Sequence, residues 1–215
     1  RIKHIIIPHQ NEFEGSLLKS QKIHLAKDIS EVVDFLKYQK PLPKCSEINS
    51  HIAASNSNLF DDVIGQSLAK RALQIAIAGR HHLLFSGPPG VGKSMLSSSA
   101  LSLLPEMTQK EFIEVLKIYN ASSIEIDSLV EKRIRPYRSP HHSISANGLL
   151  GGGAGCILPG EASLAHRGIL FLDEFPEYRR DAIEGLREPL QSGWIHLNRV
   201  GRALSLPAGF TLIAA

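Results

Sequence analysis

Gly87-Pro88-Pro89-Gly90-Val91-Gly92-Lys93-Ser94 matches the pattern G-x-x-x-x-G-K-[ST] at every fixed position. Glycines here let the backbone curve around a phosphate with its N–H groups pointing inward, an approach that larger side chains would block. The lysine can reach the β- and γ-phosphates, and the hydroxyl after it can hold Mg²⁺. The stretch therefore predicts binding of ATP with Mg²⁺ by Gly87, Pro88, Pro89, Gly90, Val91, Gly92, Lys93, Ser94 and Met95.

The residues on either side of this loop support the prediction. Residues 82–85 form a short, mostly apolar run typical of a buried strand, and residues 95–104 have a helical pattern that ends at Pro105. A helix that begins under the loop adds its own attraction for an anion. The alternative is a glycine-rich turn whose sequence matches the phosphate-loop pattern by chance. Such a turn would not need a strand before it and a helix after it, so the flanking residues favour a phosphate loop.

A second pattern lies further downstream, where a buried-strand run at residues 169–172 is followed by Asp173 and Glu174. Ligands of parallel sheets bind at the carboxyl ends of the strands, so we expect both carboxylates to face the nucleotide. We predict that Asp173 contacts the nucleotide and holds Mg²⁺ with Ser94, and that Glu174 and Lys93 are the catalytic residues. Taken alone, the same pattern is also typical of a strand that ends in a solvated acidic turn.

The composition is that of a globular protein with little charge imbalance. The 215 residues include 43% hydrophobic residues and carry a net charge of +3, which permits a nucleic-acid partner without requiring one. Cys45 and Cys156 lie far apart, a use of cysteine that favours a reducing cytoplasm. No apolar run reaches membrane-spanning length, so we expect no membrane partner.

A basic run surrounds Tyr137. Its cations could neutralise nucleic-acid phosphates while the tyrosine stacks on a base, so the possible DNA contacts are Lys132, Arg133, Arg135 and Arg138. Such a run is more often a solvated face or a contact between subunits. The neighbouring pair His141-His142, with Cys156 as a third ligand, lacks the spacing of a structural zinc site, which disfavours metal binding there.

The pattern divides the chain into three parts. Residues 1–40 alternate strand and helix patterns and indicate the end of an α/β domain that begins earlier. Residues 41–58 begin with Pro-Leu-Pro and continue as a polar run, which predicts a linker. Residues 59–215 then form the nucleotide-binding domain.

Four local predictions concern this last domain. They are a helix at 67–78 with Leu68, Ala72, Ile75 and Ala76 on its inner face, a loop at 139–155, a helix at 178–188, and a β-hairpin at 194–206 with Trp194 in the core.

These residues together carry a family resemblance. The stretches 87–94 and 172–174 resemble the Walker A and Walker B motifs of AAA+ ATPases, and residues 62–66 resemble the segment that packs near adenine. Four stretches are similar to the magnesium-chelatase-like ATPases of the competence protein ComM (or YifB) family, namely Arg-Pro-Tyr-Arg-Ser-Pro-His-His-Ser-Ile-Ser at 135–145, the glycines at 151–153, Pro-Gly-Glu-Ala-Ser-Leu-Ala-His at 159–166 and the Walker B strand.

The resemblance implies an α/β P-loop NTPase fold, a three-layer αβα sandwich with a parallel sheet, preceded by the tail of a Lon-protease-like domain. It also implies a hexameric ATPase that acts on DNA during branch migration in natural transformation, with the 135–155 region and the hairpin lining a pore. The family's sensor residue, arginine finger and helical lid lie outside these 215 residues. We therefore expect this fragment to bind ATP with little or no turnover.

Other functions share these nucleotide-binding residues. A protein-remodelling or metal-chelatase motor differs only in its target. A transcriptional activator acting on sigma factor would carry Gly-Ala-Phe-Thr-Gly-Ala, which is missing from the sequence. A nucleotide-gated assembly module without catalysis is the remaining alternative.

Overall fold

The computed structural model describes residues 4–17, 22–45, 59–122, 133–153, 157–199 and 202–215, with the backbone alone at 59, 198, 199 and 202. The chain divides into two compact units, Arg1–Ile52 and Ala53–Ala215. From residue 46 onward, the predicted linker lies outside the described residues.

The first unit has the predicted strand-helix-strand-helix order. Its strands β1 (His4–Pro8) and β2 (Lys22–Ala26) pair in parallel and are joined through helix α1 (Glu12–Ser16). Helix α2 (Ile29–Tyr38) follows. It begins after Asp28 because this residue caps it, accepting a hydrogen bond from the Glu31 amide at 3.1 Å. This unit is therefore α/β, as predicted.

The second unit is built on a parallel sheet. Its strands in chain order are β3 (Leu83–Leu84), β4 (Tyr137–Arg138), β5 (Gly151–Gly152), β6 (Leu158–Pro159), β7 (Ile169–Leu172), β8 (Trp194–Arg199), β9 (Arg202–Pro207) and β10 (Thr211–Ala214). The central sheet has the order β3-β10-β7-β4 with parallel pairing throughout. The carboxyl ends of its strands consequently meet along one edge.

Short helices connect these strands. They are α3 (Leu59–Asp62), α4 (Ser67–Gly79), α5 (Lys93–Ser99), α6 (Gln109–Ala121), α7 (Ala146–Leu150), α8 (Glu161–Leu164), α9 (Arg180–Gly185) and α10 (Arg187–Ser192). Helix α6 begins at a complete capping box, in which Thr108 and Glu111 bond to each other's backbone amides.

Both faces of the sheet are covered, and alternation along β7 shows this directly. Ile169 and Phe171 pack with Leu73 and Ile77 of α4, whereas Leu170 and Leu172 pack into a second cluster with residues of α7, α8 and α9. All four residues of β7 are buried. The second unit is thus the predicted three-layer αβα sandwich.

The structure corrects the inner face predicted for α4. Of the predicted inner residues, Ala76 is buried, but Leu68 and Ile75 are 84% and 52% exposed, and Leu73 and Ile77 face the core in their place. The residues predicted to face inward and those that do face inward both have helical spacing. Only the position of the sheet decides which set is buried.

The predicted helix at 178–188 is also corrected, because it forms two helices, α9 and α10. Pro189 does not end the helical segment. It lies in the first turn of α10, where the helix does not need the N–H that proline lacks. The predicted loop at 139–155 likewise contains α7 and β5. Ser145 caps α7, and Leu149 is fully buried, so tertiary packing stabilises a helix too short for a clear sequence pattern.

Candidate functional site

The two motifs found in the sequence meet at the carboxyl edge of the central sheet. The Ser94 hydroxyl donates a hydrogen bond of 2.6 Å to Asp173 Oδ2, across 79 residues of sequence. Strands β3 and β7 both lie beside β10, so the loop after β3 and the acids after β7 emerge next to each other. This edge is where ligands of open parallel sheets bind.

The loop before α5 has the curvature expected of a phosphate cradle. Gly90 and Gly92 have φ values of 81° and 84°, a region that favours glycine. The first α-helical bond runs from the Leu96 amide to the Gly92 carbonyl. The amides of Lys93, Ser94 and Met95 precede that bond, so the helix ladder does not use them and they can donate to an anion.

Lys93 lies over its own loop. Its Nζ donates to the carbonyl oxygens of Gly87 at 2.8 Å and Pro88 at 3.0 Å. The Gln66 side chain holds the other side of the loop by donating to the Val91 carbonyl at 2.8 Å. An ammonium group is therefore already positioned where a phosphate would enter the loop.

The donor set at this edge fits Mg²⁺. The Ser94 hydroxyl and the Asp173 carboxylate are hard oxygen ligands, and Mg²⁺ commonly takes one or two such protein ligands together with phosphate oxygens and waters. Asp173 is further oriented by the Glu174 amide, which donates to Oδ1 at 3.0 Å. Ser94 and Asp173 are the residues that would hold the ion.

Glu174 contacts His142, a residue that the sequence analysis mentions as a metal ligand. The Glu174 carboxylate is 64% exposed, and its Oε2 lies 2.8 Å from Nδ1 of His142. The backbone of Glu174 has a φ of 54°, and the next amide, that of Phe175, donates to the Ala215 carbonyl. No local sequence pattern links His142 to Glu174, so the sequence does not predict this contact.

His141 and His142 have different hydrogen-bond partners in the described part of the chain. Among the described residues, no three or more histidine, cysteine or acidic side chains are grouped to hold an ion. Cys156 lies outside the described residues. His141 Nδ1 instead lies 2.9 Å from the Ser143 hydroxyl.

Tyr178 anchors the loop that carries His142. Its hydroxyl donates to the Pro140 carbonyl at 2.5 Å. Burial, followed by the charges of Asp173 and Glu174, raises the pKa of Tyr178 to about 12, so the hydroxyl stays protonated and remains a donor.

In the basic run, of which Lys132 lies outside the described residues, the structure corrects the role predicted for Arg135. The Arg135 side chain is only 6% exposed, and it donates to the carbonyl oxygens of Pro105, Glu106 and Arg167 and to Glu111. Since its donors are engaged inside the protein, Arg135 does not present a charge to DNA. It instead ties β4 to α6 and to the start of β7.

The other two arginines of the run also have partners within the protein. Arg138 forms a two-point ion pair with Glu161, at 2.6 and 2.8 Å, and is 28% exposed. Arg133 lies over the ring of Phe112, with its guanidinium carbon 5.4 Å from the ring centre. Their DNA contacts therefore stay predictions, and any such contact would have to compete with these partners.

The pKa of Glu111 reflects its hydrogen bonds and its ion pair with Arg135. Burial alone would raise the pKa of this carboxyl, but hydrogen bonds from Thr108 and Arg135 and the charge of Arg135 outweigh burial and lower the pKa to about 2. The carboxylate form is therefore stabilised in the folded protein.

We expect Arg135→Ala to reduce the free energy of unfolding by about 3 kcal/mol, because it removes the charged donor of a partly buried carboxylate and the donor that Arg135 supplies to three carbonyls. Arg80→Ala is the matched control, since Arg80 pairs with the same Glu111 at 3.6 Å but is 68% exposed. The control should cost less than about 0.5 kcal/mol. Urea unfolding of both variants checks this, and equal losses would contradict it.

The predicted hairpin is present, but its aromatic residue is not in the core. Strands β8 and β9 pair antiparallel from Trp194–Pro207 to Arg199–Arg202, and Gly201 lies outside the described residues. Trp194 is 46% exposed, while Ile195, the next residue, is buried. Trp194 is exposed and Ile195 is buried because successive side chains of a strand point to opposite faces of the sheet.

No helix in the described part of the chain is both long enough and apolar enough to cross a membrane.

Comparison with known proteins places these features in a family. The family model described as magnesium chelatase, subunit ChlI, matches residues 59–215. Competence protein ComM of Haemophilus influenzae is 46% identical over 99% of this chain, and the Escherichia coli protein YifB is 42% identical over 98%. The chain spans 42% and 41% of the lengths of these two relatives.

More distant matches agree on the fold. Lon protease 2 of Bacillus subtilis is 27% identical over 74% of this chain and 29% of its own length, which is consistent with the predicted Lon-like character. A chain from a cryo-EM reconstruction of the complex between subunits BchI and BchD of magnesium chelatase matches with a TM-score of 0.54 at 24% identity, covering 72% of this chain and 53% of its own. The predicted P-loop fold is thereby confirmed, and the chain belongs to the magnesium chelatase-like AAA+ ATPases, among the relatives of ComM and YifB.

Proposed function

We propose that this chain is the ATP-binding and ATP-hydrolysing module of a motor that remodels DNA. The observation that carries the proposal is the 2.6 Å hydrogen bond between Ser94 and Asp173. It joins the phosphate loop to the acidic end of β7 at the edge of the sheet where a nucleotide would lie. The site thus has a cation, free amides and two carboxylates within one small region.

The proposed reaction is in-line attack of water on the γ-phosphate. The amides from Gly90 to Ser94 bind the phosphates, and Lys93 balances the charge that develops on the transferring group. Mg²⁺ held by Ser94 and Asp173 would neutralise further charge on the phosphate oxygens. Glu174 accepts a hydrogen bond from the attacking water and orients it.

DNA is the target that the relatives favour, because the protein of Haemophilus influenzae at 46% identity is named for competence. We propose branch migration during natural transformation as the process, in a homo-hexamer working in the cytoplasm. BchI, the structural neighbour, is a subunit of a complex, which supports assembly into a ring. The exposed Trp194 at the start of the hairpin is suited to stack on a base.

The test is the ATPase rate of the full-length protein with and without single-stranded and branched DNA. We expect DNA to stimulate turnover, and we expect Trp194→Ala to weaken DNA binding about tenfold, since stacking on one aromatic contributes roughly 1–3 kcal/mol per base. The rate without DNA should not change. His196→Ala is a control on the same strand, because its ring already contacts the Ser205 hydroxyl at 2.8 Å.

A second function is favoured by the structural match to BchI, which is a subunit of magnesium chelatase. In that case the same ATPase site drives metal insertion or the remodelling of a protein. Turnover that does not respond to DNA, with normal ATP binding, would support this alternative and contradict the DNA motor.

A further inference from the structure

Tyr137 of β4 contacts two elements of the candidate site, and the proposed reaction uses neither contact. Its hydroxyl lies 3.3 Å from the hydroxyl of Ser97, which belongs to α5, the helix that begins at the phosphate loop. Its ring stacks with that of Phe171 in β7, with the ring centres 6.3 Å apart and the planes at 26°. Ser97 is fully buried and Phe171 is 2% exposed, so both partners are shielded from water.

Each of these two partners is close in sequence to a residue that would hold Mg²⁺. Ser97 follows Ser94 by three residues in α5, and side chains three apart lie on the same face of a helix. Phe171 precedes Asp173 by two residues at the end of β7. Ser94 and Asp173 are themselves joined by the hydrogen bond of 2.6 Å. The contacts therefore connect these residues in a closed cycle, in which Tyr137 joins the helix to the strand.

The Tyr137 hydroxyl keeps its proton in this environment. Burial raises the pKa of Tyr137, the hydrogen bond with Ser97 opposes that shift, and the charge of Asp173 adds to it. A neutral tyrosine can both donate and accept a hydrogen bond, and so can a serine, so the two hydroxyls can bond in either direction. The contact between Tyr137 and Ser97 therefore does not depend on pH near neutrality.

The strand that carries Tyr137 is well anchored. Both residues of β4 pair with β7 in the central sheet. Arg138, the next residue, is also bound at two points by Glu161 of α8. The Tyr137 ring packs against the apolar cluster that the sheet shares with α4 and α5. A side chain anchored in this way can define the position of the helix that its hydroxyl contacts.

We infer that Tyr137 is a positioning residue for Ser94 and Asp173, the pair that would hold Mg²⁺. This inference rests on the proposed function, in which both residues bind the ion together with the phosphates. Mg²⁺ requires nearly ideal octahedral geometry, so small displacements of its ligands weaken binding. The Tyr137 hydroxyl fixes the second turn of α5 against the sheet, and it thereby fixes the position of Ser94 relative to Asp173. Groups that orient metal ligands without touching the metal contribute strongly to metal affinity.

Titration calorimetry of the full-length protein with a non-hydrolysable ATP analogue tests this inference. Binding is measured once with Mg²⁺ and once with EDTA, and the ratio of the two affinities gives the contribution of the ion. We expect Tyr137→Phe to reduce this ratio about three- to tenfold, because the variant loses the hydroxyl and keeps the ring that stacks on Phe171. The affinity in EDTA should stay at the wild-type value. A general structural role of Tyr137 would instead lower both affinities.

Replacement of Ser97 tests the other end of the same hydrogen bond. Ser97→Ala should reduce the Mg²⁺ ratio as much as Tyr137→Phe does, and the double variant should lose no more than either single variant. Ser98→Ala is the matched control, because Ser98 is the next residue of α5 and its hydroxyl donates to the Met95 carbonyl at 2.9 Å. This control should keep the wild-type ratio.

A change of ion tests whether geometry is the cause. Ca²⁺ accepts longer and less regular coordination than Mg²⁺ does. With Ca²⁺ in place of Mg²⁺, the ratio for Tyr137→Phe should therefore lie within about twofold of the wild-type ratio. An equal loss with both ions would overturn the inference, since a displaced ligand should matter less to the more tolerant ion.

The outcomes distinguish the inference from the function on which it rests. A Mg²⁺ ratio that is equal in the wild type and Tyr137→Phe overturns the inference and leaves the proposed ATPase standing. Equal losses with Mg²⁺ and with EDTA also overturn it, as do additive losses in the double variant, because the hydrogen bond to Ser97 would then not orient the ligands of the ion. Absence of analogue binding to the wild-type protein under either condition overturns the proposed function and the inference together.

Discussion

Replacing Lys93 with alanine should abolish productive binding of ATP. The ammonium group of Lys93 already lies over the loop, where it donates to the carbonyls of Gly87 and Pro88. A triphosphate would replace these carbonyls as the acceptor and would gain a charge-assisted hydrogen bond at the centre of its negative charge. Losing such a partner costs about 3 kcal/mol, which corresponds to roughly a hundredfold loss in affinity.

Titration calorimetry with a non-hydrolysable ATP analogue and Mg²⁺ measures this loss directly. Lys117→Ala, on the exposed side of α6, is the matched control and should bind like the wild type. Folding should be unaffected, because the contacts of Lys93 lie within its own exposed loop. Affinity within about threefold of the wild type would contradict the role given to Lys93, since such a difference is below 1 kcal/mol.

Glu174→Gln should leave ATP binding intact and stop hydrolysis. The substitution keeps the size of the side chain and its ability to accept a hydrogen bond, but it removes the charge that polarises the attacking water. We expect turnover by the full-length protein to fall by about 10²- to 10⁴-fold, the usual contribution of a positioned general base. The binding constant for ATP should change little, because Lys93, Ser94 and the loop amides are untouched.

Glu177→Gln is the matched control for this prediction. Glu177 is exposed and lies in the same short turn, Phe175–Glu177, that follows Glu174. It should hydrolyse ATP at the wild-type rate. Normal turnover in Glu174→Gln would show that another group orients the water.

The two variants also separate the two halves of the site. A protein that loses binding with Lys93→Ala but keeps it with Glu174→Gln has distinct groups for binding and for chemistry, as the geometry of the two motifs implies. Loss of binding in both variants would instead indicate that the end of β7 supports the loop structurally, through the hydrogen bond between Ser94 and Asp173.

Short-range patterns were sufficient to predict much of the fold. The glycine-rich loop, the buried run of β7 and the hairpin all depend on residues close together in sequence, as does the capping box that begins α6. Their physical causes are equally local, namely the conformational freedom of glycine, the unsatisfied amides of a helix start and the alternation of side chains along a strand. The parallel sheet was an expectation from the family resemblance that residues 87–94 and 172–174 carry.

Where a local sequence pattern had two equally good interpretations, the sequence did not predict which residues are buried. Helix α4 has two apolar stripes, and the sheet covers the one with Leu73 and Ile77 rather than the one with Leu68 and Ile75. Arg135 belongs to a run that resembles an exposed basic surface, yet the carbonyls of Pro105 and Arg167 and the carboxylate of Glu111 surround it with acceptors. Burial depends on neighbours that are distant in sequence, so composition alone cannot reveal it.

The candidate site shows the same division. The residue types and spacing of residues 87–94 and 173–174 by themselves determined that a phosphate cradle and two carboxylates exist in this chain. Only the tertiary structure decided that Ser94 touches Asp173 and that His142 contacts Glu174, because the order β3-β10-β7-β4 brings three separate loops to one edge of the sheet. The chemistry of each group is local, whereas its partner is chosen by the packing of strands that are far apart along the chain.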